Sequence, residues 1–206
     1  MTVSGVVAVF RKKALLDSGL WDRDLITEDI GITWKLQRRF WDIRYEPRAL
    51  CWMLVPETLS GFWKQRIRWA QGGLEVLFRH WKIILSWKNR RLIPILLEQL
   101  ASVIWAISWL TVTIWMLIKW TLTGSLNLVH WQGQYLLMLC LIQFLIAMKL
   151  DQKYDEKLLK YYIWAIWYPT FYWYFNALIV IRAIPKALKS SRNHNFAIWD
   201  LSLIHI

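Results

Sequence analysis

Two short polar motifs carry residue types that can do chemistry. The first is Thr27-Glu28-Asp29, two adjacent carboxylates where a helix begins. A carboxylate on a loop that opens into a helix can serve as a general base and take the proton from an attacking hydroxyl. The same residues can equally cap the helix and answer its dipole. The second motif is Gln65-x-x-Arg68-Trp69. Gln65 and Arg68 stand one helical turn apart and share a face. A guanidinium there can fork onto diphosphate oxygens and stabilise a departing diphosphate, and Trp69 offers a flat apolar face on which a sugar ring can stack. An amphipathic helix that lays its arginine among lipid headgroups would show the same letters.

Short elements must position these motifs. Residues 3–11 are apolar and β-branched, which predicts a core strand. Residues 12–18 predict a short helix ending near Gly19. Thr27 or Asp29 can cap a helix over 30–40, whose Ile32, Leu36 and Phe40 share one face. Residues 42–47 predict a second strand, and 49–55 an apolar edge leading to Pro56. The block 57–81 is helical, with Trp63, Ile67, Leu74 and Leu77 at helical spacing and Lys64, Arg66 and Arg68 between them. Such a basic amphipathic helix suits a membrane interface; the alternative is a surface helix packed on a protein core.

The second half is built differently. Residues 92–120 are apolar apart from Glu98 and Lys119, and a span needs about 20 such residues. Residues 134–150 and 161–184 are further membrane segments, the last with a kink expected at Pro169. Polar connectors, 121–133 and 151–160, separate the three. The chain is 57% hydrophobic with 17 Trp and carries a net charge of +12. Nucleic acid is one partner for such a charge. Anionic lipid on a cytoplasmic face is favoured here, because the basic residues flank the apolar segments. The basic stretch 82–91 puts the start of the first span in the cytoplasm. Three crossings would then leave the basic residues 182–192 outside, so one segment is expected to be re-entrant or interfacial.

Other chemistries find no support. Two cysteines, Cys51 and Cys140, are too few for a disulfide framework. No phosphate-cradling glycine loop, zinc ligand array or Ser/His/Asp pattern occurs, and the four histidines are scattered. Arg38-Arg39 fits solvated helix surface better than a phosphate clamp, and Asp22-Arg23-Asp24 fits a surface turn. No signal peptide is visible.

These motifs occur inside a longer likeness. Ser4-Gly5-Val6-Val7-Ala8-Val9-Phe10-Arg11, Ile26-Thr27-Glu28-Asp29-Ile30, Trp34-Lys35-Leu36-Gln37 and Glu46-Pro47-Arg48-Ala49-Leu50-Cys51-Trp52 are followed by Pro56-Glu57-Thr58-Leu59 and Trp63-Lys64-Gln65-Arg66-Ile67-Arg68-Trp69-Ala70-Gln71-Gly72-Gly73. Over about residues 1–185 the chain resembles the C-terminal half of the processive family-2 glycosyltransferases, the group of cellulose, hyaluronan, chitin and bacterial poly-β-1,6-N-acetylglucosamine synthases, and is most similar to the last.

The resemblance implies an α/β fragment: the C-terminal part of a GT-A glycosyltransferase domain over 1–56, interface helices carrying the Gln-x-x-Arg-Trp motif over 57–91, an α-helical transmembrane region over 92–185 and a basic tail over 186–206. It implies Asp29 as catalytic base, Glu28 beside the acceptor pocket, and Gln65, Arg68 and Trp69 around the donor diphosphate and acceptor end. UDP-N-acetylglucosamine would be the donor and a growing β-linked polysaccharide the acceptor. Mg2+ or Mn2+ is expected, with ligands outside this chain, because the family's metal-binding Asp-x-Asp lies upstream of the base motif. A small membrane accessory subunit, lipid contacts, no nucleic acid and a multi-pass place in a bacterial inner membrane with the catalytic part cytoplasmic complete the expectation. The chain is then a C-terminal fragment, inactive alone, and its end over 201–206 (LSLIHI) departs from the family's polar tail as a misjoined frame would. Two alternatives stand beside this one: a family-2 synthase making hyaluronan, chitin or cellulose, and a non-catalytic membrane scaffold whose basic face recruits a partner.

Overall fold

In a computed structural model that describes residues 3, 5–124 and 132–193, Lys12–Ser18 forms helix α1, and Gly19 closes it in the left-handed region at φ 79°. Glycine takes that conformation without Cβ strain. Helix α2 is Glu28–Arg38, starting earlier than its periodicity predicts, and α3 is Leu59–His80. The Thr58 hydroxyl caps α3 by accepting from the Gly61 N–H at 3.1 Å. Two 3-10 segments, Trp81–Leu85 and Trp87–Leu92, lead into α4, Ile93–Thr123. Helices α5 (Gln132–Asp151), α6 (Tyr162–Ala165) and α7 (Tyr168–Asn193) follow. The connector at 125–131 and the end from 194, LSLIHI included, lie outside the described residues.

The chain forms two compact units, Met1–Ala106 with Ile179–Ile206, and Ile107–Leu178. In the first, Leu25, Trp34, Leu74, Val76, Leu77, Ile83, Leu92 and Leu96 bury one another, together with Ala183 and Ala187. Residues 72–77 of α3 are buried in succession, so this stretch of the helix is enclosed on all sides. Helix α3 is therefore a core helix over that stretch, which favours packing on protein there over lying flat at an interface. Replacing a side chain as enclosed as Leu74, 2% exposed, by Ala costs about 2–5 kcal/mol. Ala14, Ile32 and Leu36 form a second cluster with Phe10, Leu15, Trp41 and Ile43 around it.

The expected α/β character is not met: among the described residues there is no strand. Residues 3–11 and 42–47 have strand-like composition, but a strand exists only when a neighbour takes up its N–H and C=O groups in a ladder. No described segment forms a ladder with them. Val9 is 99% and Leu54 93% exposed. Single anchors replace the ladder: the Val3 N–H donates to Thr33 Oγ1 at 3.0 Å, and the Gly5 N–H to Asp29 Oδ2 at 3.0 Å.

In the second unit α4 contributes the hydroxyls of Thr111, Thr113, Thr121 and Thr123, which donate to carbonyls of Ile107, Trp109, Ile118 and Lys119. Each hydroxyl is satisfied inside the helix and needs no water. Trp115 and Leu122 stand exposed. With the residues just before it, α4 is the one helix among the described residues that is long and apolar enough to cross a membrane. The third expected segment is not one helix. Turn residues Ile166 and Trp167 separate α6 from α7, and Pro169 falls in the first turn of α7, where a missing N–H costs nothing. The break therefore precedes Pro169 instead of forming a kink at it. Tyr162 donates its hydroxyl to the Leu141 carbonyl at 3.1 Å, and Tyr168 stacks on Phe144 and Tyr172.

His80 sits at the end of α3, 6% exposed, with its ring 5.8 Å from that of Trp34. Its Nδ1 lies 3.3 Å from Arg38 Nη1 and must accept there, since guanidinium only donates. Burial, and then the Arg38 charge, push its pKa down from 6.5 to about 4. An unfolded chain takes up this proton near pH 6.5 and the folded chain does not, so His80 weakens the fold as pH falls from 6.5 toward 4. The expected loss is about 2–3 kcal/mol. Thermal unfolding of the detergent-solubilised protein across that range should show it, and His80→Gln should flatten the profile.

Candidate active site

Helix α2 opens on the Thr27-Glu28-Asp29 motif, but not with the expected hydroxyl cap. Thr27 is at the N-cap position, 7% exposed, and its Oγ1 has no hydrogen-bond partner. The first turn is served by carboxylates instead. Asp29 Oδ1 accepts from the Ile30 N–H at 2.8 Å, while Oδ2 takes the Gly5 N–H. Two backbone donors from different segments thus fix the direction of this half-buried carboxylate. The Thr33 hydroxyl donates to the Asp29 carbonyl at 2.6 Å and accepts from Val3, tying residue 3 to the same turn. Glu28 is also half-buried. Burial pushes its pKa up, and the adjacent Asp29 charge adds to that; its own backbone N–H and the Arg68 charge pull the other way.

Helix α3 lies against the start of α2 at Gly72 and Thr27, and from it the Arg68 charge reaches Glu28. The approach depends on Gly72. A Cβ at that position would stand 2.8 Å from Thr27 Cβ and closer still to the Thr27 hydroxyl and methyl, so only glycine lets α3 lie so near the loop. Glu75, one turn further on and 4% exposed, accepts from the Ile26 N–H at 3.4 Å and from Gln71 Nε2 at 2.9 Å. Arg79 donates to Asp24 Oδ1 at 3.0 Å and lies 3.8 Å from Asp22, which also pairs with Lys35 at 2.9 Å. The hydrogen bond to Asp24 is the main reason the Arg79 pKa rises. The Asp22-Arg23-Asp24 turn is thus an ionic tie between the loop, α2 and α3.

Arg68 thus lies within electrostatic reach of Glu28, whose chain neighbour is Asp29. Gln65 and Trp69 share α3 with Arg68, and the described contacts tie only Arg68 to the carboxylates. Trp69 is 43% exposed, but its ring is covered at 4.6 Å by the guanidinium of Arg66, which also lies 4.8 Å from the Phe62 ring. That cation–π contact stiffens the indole by about 0.5–1 kcal/mol at such an exposed site and takes up one face of the ring. Sequence reasoning assigned no role to Gly72, Glu75 or Arg79. The available signal was Gly72-Gly73 inside a helix, where each glycine costs about 1 kcal/mol and calls for a packing reason. Asp22 and Asp24 are committed to cations, and among the described residues no cluster of His, Cys, Asp or Glu could hold a metal ion.

The family model for glycosyl transferase family group 2 matches residues 1–177. The chain belongs to this family. It is 44% identical over 205 residues to a poly-β-1,6-N-acetyl-D-glucosamine synthase of Staphylococcus epidermidis, covering 97% of this chain and 50% of that protein. A synthase of the same name from Staphylococcus aureus strain COL is 42% identical over the same share of each. The chain thus spans about half the length of the curated relatives it matches. No solved structure matches it. In this family-2 chain the two motifs meet through α3, and Gly72 is the contact to break. Gly72→Ala should destabilise the protein by about 1–3 kcal/mol, the usual cost of overpacking. Thr27→Ala, which removes an unpartnered hydroxyl, should cost less and should partly relieve Gly72→Ala in the double variant. Thermal unfolding of the three variants checks this.

Proposed function

We propose that this chain is the acceptor-side half of a membrane-embedded, processive N-acetylglucosaminyltransferase that extends poly-β-1,6-N-acetylglucosamine, a biofilm polysaccharide. The single observation that supports this reading is the close approach of α3 to the start of α2 at Gly72 and Thr27, from which the Arg68 charge reaches Glu28 beside Asp29. The names of the staphylococcal relatives point to the sugar and the linkage.

In the proposed reaction the acceptor hydroxyl of the growing polymer attacks the anomeric carbon of the donor sugar. Its proton passes to Asp29, which the Gly5 and Ile30 N–H groups aim. The bond from the anomeric carbon to the diphosphate breaks, UDP leaves and the configuration inverts. Arg68 offsets the charge that builds on the leaving diphosphate, with Gln65 on the same helical face. Glu28, its pKa raised by burial, is suited to hold the acceptor hydroxyl by hydrogen bonding. Trp69, stiffened by Arg66, gives the acceptor ring an edge or one open face to rest on.

Among the described residues no cluster of three or more His, Cys, Asp or Glu could hold a metal ion; in this reading Mg2+ or Mn2+ would be held on the nucleotide side of the site, in the part of the synthase outside this chain. The GT-A sheet would lie there too and give residues 3–11 and 42–47 their strand partners. Helix α4 crosses the bacterial inner membrane, with the two motifs on the cytoplasmic side and α5 as the second crossing of a multi-pass region. The break at Ile166–Trp167, flanked by exposed Trp164, fits a segment that lies at the interface instead of crossing, which removes the conflict over the basic residues 182–192. Lipids and a small membrane accessory subunit are the further partners.

The test is a chimera in which this chain replaces the matching half of the S. epidermidis synthase. Membranes carrying it should incorporate UDP-N-acetylglucosamine into polymer. Asp29→Asn should lower the rate by about a thousandfold at unchanged protein level, as expected for loss of a general base. A chimera that keeps its rate with Asp29→Asn would remove Asp29 from the role of base.

A further inference from the structure

A cleft of about 560 Å3 opens on the first unit, away from the Glu28–Asp29–Arg68 group. The C-terminal end of α2 supplies Lys35, Arg38 and Arg39, and the 3-10 segment Trp87–Leu92 supplies Lys88 and Asn89 across from them. Asp17 is the one carboxylate in the lining, and it is engaged by the Trp41 indole N–H at 2.9 Å. Lys35 is taken by Asp22, and Arg38 reaches His80 with one nitrogen. Arg39 and Lys88 are exposed at the rim, and the Lys88 ammonium sits 5.6 Å from the centre of the Phe40 ring. Phe40 itself is held at φ 63°, a conformation rare outside glycine. The turn thus places an aromatic ring among the cations.

Arg38-Arg39, which fits solvated surface as a bare sequence, therefore faces a third cation across a cavity. The neighbouring apolar stretch points to the class of ligand. Lys88 and Asn89 belong to the stretch Trp87–Thr123 that is long and apolar enough to cross a membrane. Trp87, 79% exposed, is the residue type that settles at headgroup level. Cations just outside a span attract anionic lipid, and a phosphodiester matches guanidinium and ammonium donors. We propose that this cleft binds the phosphate of an anionic phospholipid, with Arg39 and Lys88 as the main donors and Phe40 against the glycerol.

The proposal rests on α4 lying in a membrane. Flotation of the protein with phosphatidylcholine liposomes tests that premise alone, and failure to float would remove the membrane reading and the lipid site with it. The site is tested in non-ionic detergent, by titrating short-chain phosphatidylglycerol and following thermal stability. Phosphatidylglycerol should raise the melting temperature saturably, whereas equal concentrations of phosphatidylcholine or inorganic phosphate should not. Arg39→Gln with Lys88→Gln should weaken the half-saturating concentration about tenfold, as for loss of a charge-assisted hydrogen bond. Both side chains are exposed, so the variant should fold. Lys82→Gln removes a nearby charge outside the cleft and should leave the titration unchanged. The proposal is overturned if inorganic phosphate stabilises as well as the lipid, if the double variant titrates like the wild type, or if Lys82→Gln weakens binding equally.

Discussion

The close approach of Gly72 to Thr27 is the contact on which the site depends. Helices repel each other's Cβ atoms, and a helix that must touch a loop's backbone and side chain at once needs a position with none. Gly72 supplies it, and everything one and two turns away follows. Arg68 comes near enough for its charge to act on Glu28, Glu75 takes the Ile26 N–H, and Arg79 reaches Asp24 and Asp22. The buried Thr27 hydroxyl, left without a partner, is the local cost of that approach, on the order of 1–3 kcal/mol if no water reaches it. A protein retains such a cost where the geometry it permits matters more than the stability it loses.

The candidate site was legible as residue types, and much less so as geometry. Glu28, Asp29 and Arg68 can be picked out as residue types able to do the chemistry, although a helix cap and an arginine at lipid headgroups account for the same letters. Their meeting cannot, because it depends on a glycine whose role appears only when a Cβ is placed there. Trp69 shows the limit from the other side. The residue type promised an open stacking face, and the neighbour two positions before the one of interest, Arg66 in place of Arg68, covers the ring. Cation–π contacts within one turn of helix are cheap to form, and the order of Arg66 and Arg68 along the chain does not say which will turn toward the indole.

The fold divides along the same line. Helices α1, α2 and α3 lie close to where periodicity and end signals put them, since a helix satisfies its backbone within its own segment. The strands expected at 3–11 and 42–47 do not form among the described residues, because a strand is a relation between two segments and composition describes only one. The long apolar helix α4 was legible from hydropathy; the break at Ile166–Trp167 was not, since no Pro or Gly marks it and the proline that drew attention, Pro169, sits harmlessly in a first turn. The chain covers 50% of the length of the S. epidermidis relative.

The central claim is that α2 and α3 bring the Arg68 charge and the Asp29 charge within electrostatic reach of Glu28. Carboxyl-carbon NMR titration of Glu28, in the protein selectively labelled at glutamate and held in detergent, measures this without requiring turnover. The account predicts a Glu28 pKa above the ordinary glutamate value, moving further up in Arg68→Gln and down in Asp29→Asn. A Glu28 that titrates at its ordinary value and responds to neither substitution would mean that the two motifs do not meet, and the proposed site would not exist.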